Sequence, residues 1–280
     1  LEKGDHAMIE KRELPLLVST IPFTPESKEI EKLLKEGFGL EIFLDWPQWC
    51  DEYEIEEKIK KWRKDYGEFP VSIHATMIEG PDLTDPPESH TYQLTLAAFH
   101  RAFQFASLIK ALHVVIHTHG HHTLVTEDIK SVYQERVKKA LPLLVKWAKD
   151  AGTEVGVENI GTEKNQTLLF NDKEYIQLFE DVKGIRSLID IGHTHLNRWN
   201  IGKVIGKLED KIISYHLHDN YGRDDNHYPM GKGWIPWEDF IGRIVNSTRA
   251  TSLVLEFDNE LAPNPVKSYL KAKKFIREAE

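Results

Sequence analysis

Residues 212–219 read Ile-Ile-Ser-Tyr-His-Leu-His-Asp, a segment in which apolar and polar side chains alternate. A period of two residues is typical of a β-strand, because successive side chains of a strand point to opposite faces of its sheet. If Ile213, Tyr215 and Leu217 face one side, His216 and His218 face the other. The segment therefore predicts a strand that carries two imidazoles on one face.

Seven further segments of this kind recur at roughly even spacing along the chain, and helical patterns lie between them. The eight predicted strands are 14–21, 40–45, 71–75, 113–118, 154–159, 187–191, 212–219 and 252–257. Predicted helices include 54–66, 92–109, 127–149, 173–181, 237–245 and 265–278. Strand followed by helix, eight times over, predicts an α/β fold, a single-domain (β/α)8 TIM barrel. A doubly wound open sheet is the alternative, although no GxGxxG turn or Walker-type phosphate loop supports a nucleotide-binding fold.

Composition supports one ordinary globular domain, since 40% of the 280 residues are hydrophobic and 29% are charged. We expect residues 8–280 to form the barrel, and residues 1–7, before Met8, to be an expression remnant or a disordered tail. The apolar runs are much shorter than the roughly 20 residues that a membrane helix needs. With no secretory signal in the first residues, we expect a cytoplasmic protein that has no membrane partner.

Charge and cysteine content narrow the range of partners. The formal net charge is −9 and no basic cluster stands out, which argues against nucleic acid as a partner. The one cysteine, Cys50, cannot form an intramolecular disulfide, and we interpret it as a bystander rather than a catalytic thiol.

Alternation predicts that six strands present ionisable side chains at their carboxyl ends, where the active site of a TIM barrel lies. The inward-facing set is His74, His117, Glu158, Asp190, His216, His218 and Glu256. One such group alone is ordinarily structural. Several buried carboxylates without a countercharge, however, would cost on the order of several kcal/mol each, and no Lys or Arg points inward there. The set therefore predicts a divalent metal, with zinc or manganese preferred over calcium or magnesium.

Two loops extend this set. His193 follows Asp190 by three residues, with Gly192 permitting the turn, and Asp225 and His227 could chelate one ion if their loop is extended. For that last pair, a solvated loop is an equal alternative. Four other histidines are predicted to lie near the mouth as neighbours of the ligands or as groups that face substrate: His119, His121, His122 and His195.

Five ordered motifs resemble the xylose isomerase-like TIM-barrel superfamily over nearly the whole chain. They are Val157-Glu158-Asn159-Ile160-Gly161, Leu188-Ile189-Asp190-Ile191-Gly192-His193, His216-Leu217-His218-Asp219, Gly231-Lys232-Gly233 and the terminal-strand Glu256. That superfamily includes sugar and sugar-phosphate isomerases and epimerases as well as the endonuclease IV family.

The resemblance implies two different metal sites. The isomerase and epimerase branch implies one divalent ion held by Glu158, Asp190, His216 and Glu256. The endonuclease IV branch implies three zinc ions, and its additional ligands are His74, His117, His193, Asp225 and His227. There Glu158 would bridge the ion of His74 and His117 to the ion of Asp190, His216 and Glu256.

We interpret the chain as a metal-dependent sugar or sugar-phosphate isomerase or epimerase with one to three zinc or manganese ions. Glu158 and Glu256, on opposed strands, would exchange a proton with carbon through an enediolate. Substrate contacts are predicted from His74, His117, His193, Lys232, Trp46 and Trp199.

The alternative is a di- or tri-zinc, endonuclease IV-like phosphoesterase that acts on a small phosphoester. Abasic DNA is disfavoured because the acidic loop 79–88 would repel phosphates. A metal-dependent sugar-binding protein is the non-enzymatic alternative. A homo-oligomer is compatible with the resemblance, because similar barrels are commonly dimers or tetramers.

Overall fold

The computed structural model describes residues 13–44, 49–75, 82–247, 249–258 and 264–280. Eight parallel strands pair in chain order and close on themselves, because β8 pairs with β1. The strands are β1 (Leu16–Ser19), β2 (Gly39–Phe43), β3 (Val71–His74), β4 (His113–Ile116), β5 (Glu154–Glu158), β6 (Arg186–Asp190), β7 (Ile212–Leu217) and β8 (Ser252–Leu255). The closed barrel confirms the predicted (β/α)8 fold and excludes the open sheet.

Helices cover the outside of the barrel. They are α1 (Lys28–Lys35), α2 (Glu52–Tyr66), α3 (His90–Ile109), α4 (Glu127–Asp150), α5 (Asp172–Asp181), α6 (Ile191–Leu196), α7 (Ile201–Leu208), α8 (Ile241–Val245) and α9 (Pro265–Ala279). A 3-10 turn at Trp237–Asp239 precedes α8, so the helix predicted at 237–245 is divided in two. No helix in the part of the chain that the structure describes is both long enough and apolar enough to cross a membrane.

The strands bury two different faces. Outward side chains such as Val18, Ile73 and Ile116 belong to the large apolar core between sheet and helices. Inward side chains such as Leu17 and Val115 are fully buried and lie outside that core cluster, because they fill the barrel interior. Burial on both faces is why these short strands contain so many Val, Ile and Leu residues.

One orientation prediction is wrong. Ile213 does not face the helices, since a Cβ on the interior Gly156 would lie 3.2 Å from the Cγ2 of Ile213. The register between β6 and β7 shifts here: Ser187 pairs with Ile212, but Leu188 pairs with Ser214. The extra residue of this irregularity is Ile213, and the local change in strand direction turns it inward.

Several sequence predictions lie outside the described residues. They concern the tail 1–7 and Met8, the strand end Asp45, Trp46, and the part of the acidic loop up to residue 81. Inside the described part, every predicted strand is present, with ends that differ by a few residues.

Candidate active site

The nine side chains predicted as metal ligands lie together at the carboxyl end of the barrel. Three of them, His74, Glu158 and Asp190, are the last residues of β3, β5 and β6. The other six are His117, His193, His216, Asp225, His227 and Glu256. Only Asp225 and His227 are not fully buried, because they come from the loop after β7.

Glu158 lies at the centre of this set. Its Oε2 is 2.7 Å from Nε2 of His117 and 3.2 Å from Nε2 of His74. Its Oε1 is 3.3 Å from Nδ1 of His216. Burial alone would raise the pKa of Glu158, but the imidazoles of His216 and His117 outweigh it and hold the pKa well below its usual range.

Nδ1 of His216 faces three carboxylates at once. It lies 3.2 Å from Oε2 of Glu256, 3.3 Å from Oε1 of Glu158 and 3.9 Å from Oδ2 of Asp190. Although it is buried, this nitrogen has no aligned hydrogen bond among the described residues. A nitrogen lone pair and three carboxylates around one point form a donor set that suits a zinc- or manganese-type ion.

Electrostatics around His216 supports the same interpretation. Burial would lower its pKa, but Glu256, Glu41 and Glu158 outweigh burial and raise the pKa well above its usual value. Without an ion, the carboxylates therefore hold a proton on this imidazole. A divalent ion would take the place of that proton and supply more of the missing positive charge.

Glu41 is a site residue that sequence reasoning missed. It lies in β2, its side chain is fully buried, and its Oε1 is 2.9 Å from Nε2 of His216. Its other oxygen accepts a hydrogen bond of 2.8 Å from Oγ of Ser72. The alternation of Leu40 and Ile42 on the outer face was the available signal, because it turns Glu41 inward.

A second group of possible ligands lies beside the first. One donor atom from each of four residues lies within 4.8 Å of the others: His193, His218, Asp225 and His227. Oδ2 of Asp225 is 2.9 Å from Nε2 of His193 and 3.4 Å from Nε2 of His227. His218 was predicted to face inward but not to join a ligand set; its ring stacks on that of His227 at 3.9 Å.

Local structure explains how His193 and His218 reach this position. Asp190 caps α6, because its Oδ1 accepts a hydrogen bond of 2.6 Å from the backbone N–H of His193. A Cβ on Gly192 would lie only 2.0 Å from Cε1 of His218. Glycine at this position therefore lets the imidazole of His218 pack against the first turn of α6. This is a role in packing, whereas the sequence predicted that Gly192 permits a turn.

The loop after β7 folds around Asp219. This buried carboxylate accepts hydrogen bonds from the backbone N–H groups of Gly231 and Ile235, at 2.9 and 3.1 Å, and from Nε1 of Trp237 at 3.1 Å. His227, in the same loop, has a φ of 50°, a backbone conformation that is uncommon outside glycine. The loop thus presents Asp225 and His227 in a fixed arrangement.

Three asparagines connect the loops after β5, β6 and β7. Asn159 accepts a hydrogen bond of 2.8 Å from the N–H of Asp190. Asn197 donates from Nδ2 to the carbonyl oxygens of Gly161 and His193. Asn220 donates from Nδ2 to the carbonyl oxygen of Gly192, 3.0 Å away. These bonds link the segments that follow β5, β6 and β7 along one side of the barrel mouth.

A cavity of about 480 Å³ at the barrel mouth is lined by His193 and Asp225 of the predicted ligands, together with His121, His122 and Thr162 among others. His119 also lines it, as predicted for a residue near the mouth. Its Nε2, however, lies 2.7 Å from the carbonyl oxygen of Thr167, and burial lowers its pKa to about 4.

Other predicted contacts do not reach this cavity. Trp199 packs beside Tyr175, with ring centroids 5.7 Å apart, and Lys232 is exposed. The side chain of His195 instead contacts Asn220, with Nδ1 2.7 Å from Oδ1. Within the acidic loop, Asp82 turns away from solvent and accepts hydrogen bonds from the N–H groups of Thr84 and Gly120. Its carboxylate therefore organises the neighbouring loops.

Comparison with known proteins gives two curated relatives, both uncharacterized proteins of Methanocaldococcus jannaschii. MJ1614 is 34% identical over 116 residues, which is 39% of this chain and 44% of the relative. The chain therefore spans less than half of that relative. MJ1311 is 23% identical over 271 residues, which is 93% of this chain and 87% of the relative.

Solved structures share the fold at low sequence identity. A D-tagatose 3-epimerase-like protein superimposes with a TM-score of 0.78 at 22% identity, covering 95% of this chain and 97% of its own. A D-psicose 3-epimerase from Clostridium cellulolyticum H10, solved with D-tagatose, gives 0.75 at 15% identity and covers 95% and 99%. The IolI protein with a bound zinc atom gives 0.74 at 14% identity and covers 94% and 98%.

The sequence also matches a family model, that of the xylose isomerase-like TIM barrel, from residue 31 to residue 279. This match covers most of the chain and includes all nine predicted ligands. The chain belongs to the xylose isomerase-like TIM-barrel family.

Proposed function

We propose that this chain is a divalent-metal-dependent isomerase or epimerase of a small sugar or sugar phosphate. The observation that carries the proposal is the position of Nδ1 of His216, which lies 3.2–3.3 Å from carboxylates of both Glu256 and Glu158. Similarity to sugar epimerases of the same fold supports it, and the cavity of about 480 Å³ suits a small substrate.

The donor atoms of Glu158, Asp190, His216 and Glu256 would hold the ion. A bound divalent ion would supply positive charge that stabilises negative charge developing on two neighbouring substrate oxygens. Glu158 ends β5 and Glu256 directly follows β8, so the two carboxylates would approach a substrate from different sides. The pKa of Glu158 is held well below its usual range by His216 and His117 despite burial, so its carboxylate is ionised, which is the form that a proton acceptor requires.

Proton exchange with solvent tests this assignment. The manganese-loaded protein in deuterium oxide should incorporate deuterium into at least one of D-tagatose, D-psicose and D-fructose. Glu158→Gln and Glu256→Gln should each abolish incorporation, because an amide cannot accept the proton. Glu154→Gln, at the opposite end of β5, is the matched control and should retain it. Exchange that persists in the Glu158→Gln variant would show that Glu158 is not the proton acceptor.

A second candidate function, a multinuclear phosphoesterase, is favoured by one specific observation. His193, His218, Asp225 and His227 form a further four-residue group of possible ligands, and His74 and His117 contact Glu158. A site that filled these groups with ions would suit hydrolysis of a small phosphoester, in which several ions stabilise the attacking and leaving oxygens.

Metal content separates the two candidates. Elemental analysis of protein purified without chelator and without metal-affinity chromatography gives the number of ions per chain. About one ion per chain, with no hydrolysis of bis(p-nitrophenyl) phosphate, is the result expected for the isomerase or epimerase. Two or three zinc ions together with hydrolysis would favour the phosphoesterase.

A further inference from the structure

A second cavity, of about 450 Å³, opens beside the cavity of about 480 Å³, which we call the substrate cavity. Several positively charged side chains line this second, basic cavity. It is lined by three basic residues: Lys164 from the loop after β5, Arg198 two residues beyond α6, and Arg223 from the loop after β7. Three cations thus border one cavity of a chain whose net charge is −9.

Two of the three cations have no acidic partner. Lys164 is paired, with Nζ close to Asp224 and 3.1 Å from the carbonyl oxygen of Arg223. Within the described ranges, the guanidinium groups of Arg198 and Arg223 make neither an ion pair nor a hydrogen bond. Glu163 also lines the cavity, so the lining keeps a net positive charge. Two unpaired guanidinium groups offer the planar donor pairs that bind oxyanions, and phosphate above all.

The basic cavity adjoins the substrate cavity. Thr162 lines both, and Arg223 is two residues from Asp225, which lines the substrate cavity. Asn197 also links the linings of the two cavities. It accepts a hydrogen bond of 3.1 Å from the N–H of Glu163 in the basic cavity and donates to the carbonyl oxygen of His193 in the substrate cavity. The two cavities are therefore neighbours, and a molecule that occupied both would place one end beside the two arginines.

We propose that Arg198 and Arg223 form a binding site for the phosphate group of a phosphorylated sugar. As a statement about substrate, this assignment rests on the proposed function; as a statement about anion binding, it does not. The sugar carbons that react would lie between Glu158 and Glu256, and the phosphate at the distal end would lie in the basic cavity. The site would thus select phosphorylated over free sugars.

Binding of inorganic phosphate to the metal-loaded protein, measured by calorimetry, is the direct test. Arg198→Gln and Arg223→Gln should each weaken binding about tenfold or more, as expected when a charge-assisted hydrogen-bond donor is lost. Arg249→Gln removes the same charge at the opposite end of the barrel and should bind phosphate like the parent protein. Equal phosphate affinity in all three variants would place the anion at the metal ligands and overturn the proposal.

Kinetics with D-fructose 6-phosphate and D-fructose separates this site from the proposed function. If Arg223→Gln raises the KM of deuterium exchange for the phosphorylated sugar but not for the free sugar, the phosphate site stands. If both sugars exchange with the same KM and the substitution changes neither, the site is wrong although the function holds. If neither sugar exchanges but phosphate binding still depends on Arg198 and Arg223, the anion site stands and the isomerase assignment loses its support.

Discussion

Among single residues, Glu41 adds most to the predicted site, because it contacts the nitrogen of His216 that does not face the three carboxylates. Its carboxylate lies 2.9 Å from Nε2 of His216, on the far side of the ring from the proposed ion. An imidazole that binds a metal through one nitrogen is generally oriented by a partner at the other nitrogen. We interpret Glu41 as that partner, and Ser72 as the donor that fixes Glu41.

Replacing Glu41 by Gln should weaken metal binding by about 10- to 100-fold, the usual effect of losing such a partner. Glutamine keeps the size of the side chain but has no negative charge with which to hold the Nε2–H of the metal-binding ring and make the ring a stronger ligand. The measurement is the dissociation constant of zinc from competition with a coloured chelator. Glu154→Gln, a half-buried glutamate in β5, is the control and should leave the constant unchanged. An unaltered constant in the Glu41→Gln variant would show that Glu41 does not orient His216.

The sequence predicts individual residues unevenly. His74, Glu158, Asp190 and Glu256 could be predicted because each stands at the end of a strand, where alternation and position agree. The alternation of Leu40 and Ile42 turns Glu41 inward, but its role depends on a partner from β7, which the sequence around β2 does not indicate. His218 could be assigned a direction, but its membership of the second group depends on a loop whose path the sequence does not reveal.

At the scale of elements, α6 and the loop after β7 build the second ligand group together. Alternation predicts strands well, because it depends on local sequence and on burial. The six residues of α6 are too few to show a helical period, and only the capping bond from Asp190 reveals the helix. The irregularity at Ile213 arises from pairing between β6 and β7, so one strand alone cannot predict it.

The Gly192→Ala substitution should disrupt the second group. The new methyl group would overlap the ring of His218, so the ring must leave its position in the second group, where its Nε2 also lies 2.9 Å from Oδ2 of Asp190. We expect lower stability and, if more than one ion binds, loss of the weaker ion in a titration. Gly206→Ala in α7 is the matched control: its Cβ would meet no atom within 4 Å, and alanine should raise helix stability by about 0.5–1 kcal/mol. Retention of every bound ion in Gly192→Ala would contradict this account.

At the scale of the whole molecule, the mouth of the barrel concentrates titratable groups whose charges depend on one another. Without metal, the pKa of His227 is raised from 6.5 to about 10, because Asp225 and Glu256 outweigh the effect of burial. The pKa of Asp225 is correspondingly held well below its usual value by His193 and His227 despite burial. The metal-free protein is thus stabilised by protonated imidazoles paired with ionised carboxylates.

Stability of the metal-free protein should therefore fall as the pH rises from about 6.5 toward about 10. A raised pKa contributes stability that is complete below the unfolded value and is lost as the pH passes the folded value. Thermal unfolding in a chelator should show this decline, and His227→Gln should reduce it. His90→Gln, at the exposed start of α3, should leave the decline unchanged. Saturation with manganese should oppose the decline, because bound ligands need no proton. A Tm independent of pH in chelator would contradict the prediction.

The hydrogen bonds of the three asparagines on one side of the barrel mouth also limit how this barrel can be redesigned. Asn159 bonds to the last residue of β6, Asn197 to the loop after β5 and Asn220 to the first turn of α6, so each bonds to a segment that belongs to a different strand from its own. An engineer who transplants any one of these loops from a relative breaks bonds in its neighbours and leaves buried polar groups without partners. Substrate range on this side should therefore change only when all three loops are exchanged as a set.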